Sequence, residues 1–195
     1  MRVAILGAGP AGLYAGYLLK RQWPQVDVSI IEQNTPDATF GFGVVFSDRA
    51  LAFLNDDDPE TYRAIVPALE TWQDITLSHP GETIRIDGVG FAAIGRLHLL
   101  QLLQERARSV GVEPAYERTV TSLDELGEAD LIIGADGVNS LVRRGNEAAF
   151  GTRVSLSRTA SCGSAPRAPS RHSRRPSRRP LRAISTPITT GSGRT

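Results

Sequence analysis

Three glycines and one acid carry the first chemistry legible in the chain. Gly7, Gly9 and Gly12 stand in Gly7-Ala8-Gly9-Pro10-Ala11-Gly12, the spacing G-x-G-x-x-G, and Glu32 follows Gly12 by 20 residues. Gly7 permits a tight turn. Gly9 has no Cβ, so a pyrophosphate can approach the backbone, and Gly12 lets a following helix pack closely on a strand. The helix start then offers free N–H groups and a partial positive charge to phosphates. A carboxylate at Glu32 is placed to accept hydrogen bonds from a ribose. By itself the glycine spacing fits any glycine-rich turn in an α/β protein. Its context narrows the reading to a dinucleotide site. Arg2 to Leu6 is a short branched apolar run that predicts a buried strand. Leu13 to Trp23 predicts a helix with Leu13, Tyr17 and Leu18 on one face. Val26 to Ile31 predicts a second strand, ended by Glu32.

A second candidate lies at Gly134-Ala135-Asp136-Gly137-Val138-Asn139-Ser140, where an apolar run from Ala129 meets an acid and a glycine and a helix is expected to follow. This is another place where a phosphate-bearing ligand can meet a helix start. The plainer alternative is an Asp-Gly turn that caps the helix. His79 and His98 stand without a partner at ligand or triad spacing, so both are expected to be ordinary surface or packing residues. No acid–base residue is identified as catalytic, and no metal-ligand spacing occurs.

The remaining elements must position these residues. Thr39 to Phe46 is expected to be a loop with two glycines between aromatic residues. It is either a surface connection or backbone that lies against a flat ring. Ser47 predicts an N-cap for a helix over Asp48 to Leu54, and Pro59 can open the next helix. Trp72 to Ser78 and Thr83 to Ile86 alternate around Pro80-Gly81 and predict an antiparallel hairpin. Gly95-Arg96 opens a helix with Leu97, Leu100, Leu103 and Ala107 on its apolar face, stopped by Gly111. Val112 to Tyr116 and Arg118 to Val120 predict short strands, and Leu123 to Leu126 a helical turn.

Charge is segregated along the chain. Of 22 basic residues, 10 arginines fall in 151–195 with no acid, leaving 12 basic against 21 acidic residues in 1–150, a net of −9. The single cysteine, Cys162, excludes a disulfide framework and a cysteine zinc site, which suits a reducing, cytoplasmic setting. The apolar stretch behind Arg2 is interrupted by glycines and Pro10 and lacks a cleavage site, so it is not expected to be a secretion signal. No stretch approaches the roughly 20 uninterrupted apolar residues of a membrane span.

Taken together, the opening unit, Gly95-Arg96 before a leucine helix, and Gly134-Ala135-Asp136-Gly137 with Ser140 and Arg143 resemble the class A flavoprotein aromatic hydroxylases, which share the para-hydroxybenzoate hydroxylase fold. The segments 37–48 and 88–96 are similar to the aryl-CoA hydroxylase branch, which takes in salicylyl-CoA 5-hydroxylases and anthraniloyl-CoA monooxygenases. The resemblance covers residues 1 to about 150. It implies a Rossmann-like α/β FAD-binding domain of the glutathione-reductase type over 1–150. A hairpin insertion over 68–94 would belong to an incomplete substrate domain. It implies that Gly7, Gly9, Pro10, Ala11 and Gly12 hold the ADP moiety of FAD and that Glu32 holds its ribose. Arg96 would contact the FAD phosphates, and the main chain of Val120 would lie near the adenine. Asp136 and Gly137 would serve both FAD and the nicotinamide donor. The implied reaction is ring hydroxylation of an aromatic acyl-CoA with NAD(P)H and O2. No second glycine fingerprint is present for a separate nicotinamide domain.

The family pattern stops near residue 150. Residues 151–195 contain 10 Arg, 9 Ser and 5 Pro and lose hydrophobic periodicity, so a disordered basic tail is expected. A frame shift explains this composition: read two nucleotides later, TCN serine codons supply hydrophobic ones. On that reading the chain is a truncated, inactive fragment with exposed faces. Two alternatives stand beside it. One is a single-domain NAD(P)-dependent oxidoreductase. The other is a non-catalytic FAD-binding module whose arginine tail binds a polyanion, although no aromatic residue is interleaved there for base stacking.

Overall fold

The computed structural model describes residues 1–88 and 90–155. The predicted tail, Cys162 and the frame-shift reading therefore lie almost wholly outside the described residues.

Strand β1 (Arg2–Leu6) is the centre of a three-stranded parallel sheet. Helix α1 (Pro10–Gln22) follows, and β2 (Asp27–Ile31) returns beside β1 in register from Arg2 with Asp27 to Leu6 with Ile31. The helix starts three residues earlier than the sequence predicts. Pro10 occupies its first turn, where a fixed φ and a missing N–H cost nothing, so Gly12 lies inside the helix rather than before it. Leu13 and Tyr17 are buried as expected, but Leu18 faces solvent.

Strand β3 (Gly43–Ser47) occupies the end of the segment read as a loop. Ser47 then caps α2 (Asp48–Asp57) by accepting from Ala50 N–H at 3.2 Å. Asp58 caps α3 (Pro59–Ile65). Strand β4 (Glu70–Trp72) leads to the hairpin β5 (Ile75–His79) and β6 (Glu82–Ile86). The predicted hairpin is present, but Trp72 is not part of it. Trp72 pairs instead with Phe91 of β7 (Phe91–Gly95), and β3 flanks the other side of β7, giving an antiparallel sheet in the order β3-β7-β4. Gly43 is needed there, because a Cβ would lie 2.9 Å from the Ile94 carbonyl oxygen.

Helix α4 (Arg96–Ser109) packs along α1. Its buried face is Leu99, Leu100, Leu103, Gln104 and Ala107. Leu100, Leu103 and Ala107 are buried as expected, but Leu97, in the first turn, is exposed. Val3, Ile5, Leu13 and Ile30 join Leu99, Leu103 and Val112 in the main core.

Residues 112–120 do not form the two predicted strands. A single parallel bridge joins Ala115 to Ile31. Pro114 has no N–H to extend the ladder, and Glu117 turns into the left-handed region at φ 56°. Strand β8 (Leu131–Gly134) pairs with β1 on the side away from β2, from Val3 with Leu131 to Leu6 with Gly134. A short turn of 3-10 helix (Gly137–Asn139) precedes α5 (Leu141–Gly145), and α6 (Glu147–Phe150) closes the described chain. No described helix is long and apolar enough to cross a membrane.

Candidate functional site

The carboxyl ends of β1, β2 and β8 open into one cleft of about 440 Å³. This is the end of a parallel sheet at which α/β folds place ligands. Gly7, Gly9, Pro10, Glu32, Arg96, Val120, Asp136 and Gly137 all line it. Residues up to 130 apart in sequence are thus gathered around one space.

The glycine turn forms its floor. Gly7 sits at φ +105° and donates its N–H to the Ile31 carbonyl at 2.7 Å. A Cβ on Gly7 would lie 2.4 Å from the Ala135 carbonyl oxygen, and one on Gly12 would lie 1.9 Å from the Gly7 carbonyl oxygen. Gly12 is therefore buried packing beneath the turn rather than a wall of the cleft. A Cβ on Gly9 would meet nothing within 4 Å. The open space there lies over the start of α1, which carries no side-chain cap. Ala11 is in the first turn of α1, exposed and outside the cleft lining. With Pro10 lacking a donor, the N–H groups of Ala11 and Gly12 are the free first-turn donors of α1.

Glu32 is fixed from both sides. One carboxylate oxygen accepts from Ala8 N–H at 2.9 Å. The other accepts from Asn34 N–H at 2.9 Å and from the Asn34 amide at 2.6 Å. The acid thus braces the glycine turn and keeps its remaining lone pairs toward the cleft.

Asp136 shows the clearest gap. Its Oδ2 accepts from Leu141 N–H at 2.6 Å, whereas Oδ1 is buried with no hydrogen-bond partner. The Thr39 and Tyr116 hydroxyls are likewise buried and unpartnered, and both residues line the cleft. Unmade hydrogen bonds at buried polar atoms are rare, and three of them around one cleft mark a place for a polar ligand. The expected helix start after Asp136-Gly137 is not free: Ser140 caps α5 by accepting from Arg143 N–H at 3.1 Å.

Arg96, Arg118 and Arg144 line the cleft, and none forms a salt bridge among the described residues. Arg96 is placed by its own N–H, which donates to the Phe42 carbonyl at 3.1 Å. Uncompensated guanidinium groups with free helix N–H donors favour an anionic, phosphate-bearing ligand. The burial of Tyr116 raises its phenol above the ordinary range, so it stands as a neutral donor.

Thr39, Tyr116, Arg118 and Arg144 were not predicted. The first falls in a loop read as either a surface connection or backbone against a flat ring, with no side chain singled out, and Arg118 in a segment read as strand. His79 and His98 are both exposed, as expected. Among the described residues no cluster of His, Cys, Asp or Glu is arranged to hold a metal ion.

Residues 5–39 match the family model of the NAD(P)-binding Rossmann-like domain. The chain is 46% identical over 143 residues to salicyloyl-CoA 5-hydroxylase of a Streptomyces species, covering 73% of this chain and 28% of that protein. It is 30% identical over 152 residues to 3-hydroxy-4-methyl-anthranilyl-[aryl-carrier protein] 5-monooxygenase of Streptosporangium sibiricum, covering 78% of this chain and 42% of the relative. Among solved structures, 2-methyl-3-hydroxypyridine-5-carboxylic acid oxygenase superposes with a TM-score of 0.61 at 27% identity, over 71% of this chain and 40% of that one. The chain thus spans less than half the length of each of these relatives.

Proposed function

We propose that residues 1–150 of this chain, which belongs to the class A FAD monooxygenase family, are the FAD-binding module of an aromatic hydroxylase whose substrate is an aryl-CoA thioester. The observation that carries the cofactor assignment is the unpartnered, buried Oδ1 of Asp136 in a cleft that the glycine turn before α1 and the unpaired Arg96, Arg118 and Arg144 also line. These residues fit FAD. The Gly7–Pro10 turn and Arg96, which line the cleft, hold the pyrophosphate at the α1 start, where the Ala11 and Gly12 N–H groups supply the helix-end charge. Glu32 accepts from a ribose hydroxyl, and Val120 lies at the adenine end. Asp136 and Gly137 hold the polar chain on the flavin side. When bound, the flavin supplies the redox chemistry, with NAD(P)H as electron donor and O2 as oxidant. The protein's part is to fix the ligand and shield it from water. The aryl-CoA assignment is supported by the relative's printed activity and by the segments 37–48 and 88–96. Residues 68–94 then belong to the substrate lobe.

The test is titration of the purified 195-residue chain with FAD, followed by flavin absorbance and fluorescence. One FAD per chain, displaced by ADP, is the expected result. Binding of NAD(P)H with no affinity for FAD supports the single-domain NAD(P) oxidoreductase instead.

A further inference from the structure

Glu117 is the single non-glycine residue with positive φ among the described residues, at 56°. A left-handed backbone is disfavoured for a residue with a Cβ and persists where its surroundings hold it. Two hydrogen bonds do so here. Glu117 N–H donates to the Asn34 carbonyl at 3.2 Å, and Arg118 N–H donates to the Glu32 carbonyl at 2.9 Å. The turn thereby ties Arg118 to the residue that carries the ribose-binding carboxylate. Arg118 lines the cleft with Tyr116 and Val120, and its guanidinium forms no salt bridge among the described residues. Glu125 feels its charge, but that carboxylate is already engaged by the Thr121 hydroxyl and by the Thr121 and Ser122 N–H groups. The neighbouring Tyr116 hydroxyl is buried without a partner.

If the glycine turn and Arg96 hold the pyrophosphate and Glu32 the ribose, the part of the cleft beyond Glu32 receives the base. Its wall there is Tyr116, Arg118 and Val120. A purine presents a flat, uncharged π face, and a guanidinium is the planar cation that stacks on such a face. We infer that Arg118 is an adenosine-binding residue whose guanidinium stacks on the purine, positioned by the left-handed turn at Glu117. This rests on reading the cleft as an FAD site.

The experiment titrates the 195-residue chain, R118A and R118K with ADP and with inorganic pyrophosphate. R118A should bind ADP about tenfold more weakly and pyrophosphate as the parent does. R118K should recover little of the ADP affinity, because an ammonium keeps the charge without the plane. Arg118 is exposed, so the melting temperature should be unchanged. Equal ADP affinity in R118A and the parent would overturn the inference. Equal losses for ADP and pyrophosphate would also overturn it, by making Arg118 a phosphate contact, and so would full rescue by R118K. A parent chain that binds neither FAD nor ADP would overturn the FAD reading and this one with it. FAD binding by the parent with R118A indistinguishable from it would overturn this inference alone.

Discussion

Gly9 and Gly12 are separated by three positions and by opposite physical demands. Alanine at Gly12 places a methyl 1.9 Å from the Gly7 carbonyl oxygen, an overlap that only backbone movement relieves. G12A should lose about 3 kcal/mol or more of stability, at or beyond the usual range for overpacking, read as a lower denaturant midpoint. Alanine at Gly9 meets no protein atom and suits its φ of −69°. G9A should therefore melt as the parent does but bind FAD at least tenfold more weakly, because the methyl fills the pyrophosphate space. If both variants unfold alike, or both bind alike, the division of labour is wrong. Asp136 carries a similar split. D136N keeps an oxygen to cap Leu141 N–H but loses the charge of the unpartnered Oδ1. It should fold normally and bind FAD less tightly, by roughly 1.5–3 kcal/mol if a charged hydrogen bond is lost. Unchanged FAD affinity would remove Asp136 from the site.

At the scale of elements, one buried carboxylate joins three helices. Asp58 is fully buried at the start of α3. It accepts from Tyr14 and Tyr17 of α1, both at 3.3 Å, and pairs with Arg21 at 2.7 Å. Arg106 of α4 reaches Tyr17, Thr61 and Glu60 from the other side. Burial pushes the Asp58 carboxyl up, but hydrogen bonds from Thr61 and the charges of Arg21 and Arg106 outweigh it and hold the group below its ordinary 3.8. A depressed carboxyl contributes stability above the unfolded value and loses it as pH falls through the folded one. The Asp58 share of acid destabilisation should thus begin as pH drops below about 4, and D58N, less stable at pH 7, should lose less stability between about pH 5 and 3 than the parent. D58A should cost about 3 kcal/mol, the lower end for breaking a buried pair, because Arg21 is partly solvated. Tyr14 makes the opposite signature. Burial, then the Asp58 charge and hydrogen bond, push its phenol up to about 12 from 10.0. Its neutral form stabilises the fold fully below pH 10 and loses that effect as pH rises toward 12. Y14F should flatten the alkaline limb of stability against pH. An alkaline limb unchanged in Y14F would place the titrating group elsewhere.

Over the whole molecule, the sequence disclosed the parts of the site with local signatures. The glycine spacing, the strand before it and the acid after it were legible because each is dictated within a few residues. Asp136 stood out by its strand–acid–glycine pattern, but Arg96 needed the family resemblance, since nothing local says that β7 and β8 end at the same cleft. The segment 112–120 was misread because a left-handed Glu117 held by distant carbonyls leaves no trace in periodicity. The same is true of β3, whose pairing with β7 depends on residues 50 positions away. The hairpin β5–β6 was foreseen, but its setting was not. Leu77, Ile84 and Ile86 are exposed, and Leu77 lies opposite Ile84 in the register. Such an uncovered apolar face favours association. L77K/I84K should therefore raise the concentration at which the chain stays monomeric, measured by light scattering. An unchanged association threshold would show that this face is not the sticky one.

The most direct test of the central claim is equilibrium titration of the 195-residue chain with FAD, monitored by flavin fluorescence. Saturation at one FAD per chain, competition by ADP, and weakened binding in G9A with an unchanged melting temperature are expected. Absence of FAD binding by a folded chain, or FAD affinity that survives G9A undiminished, would contradict the central claim.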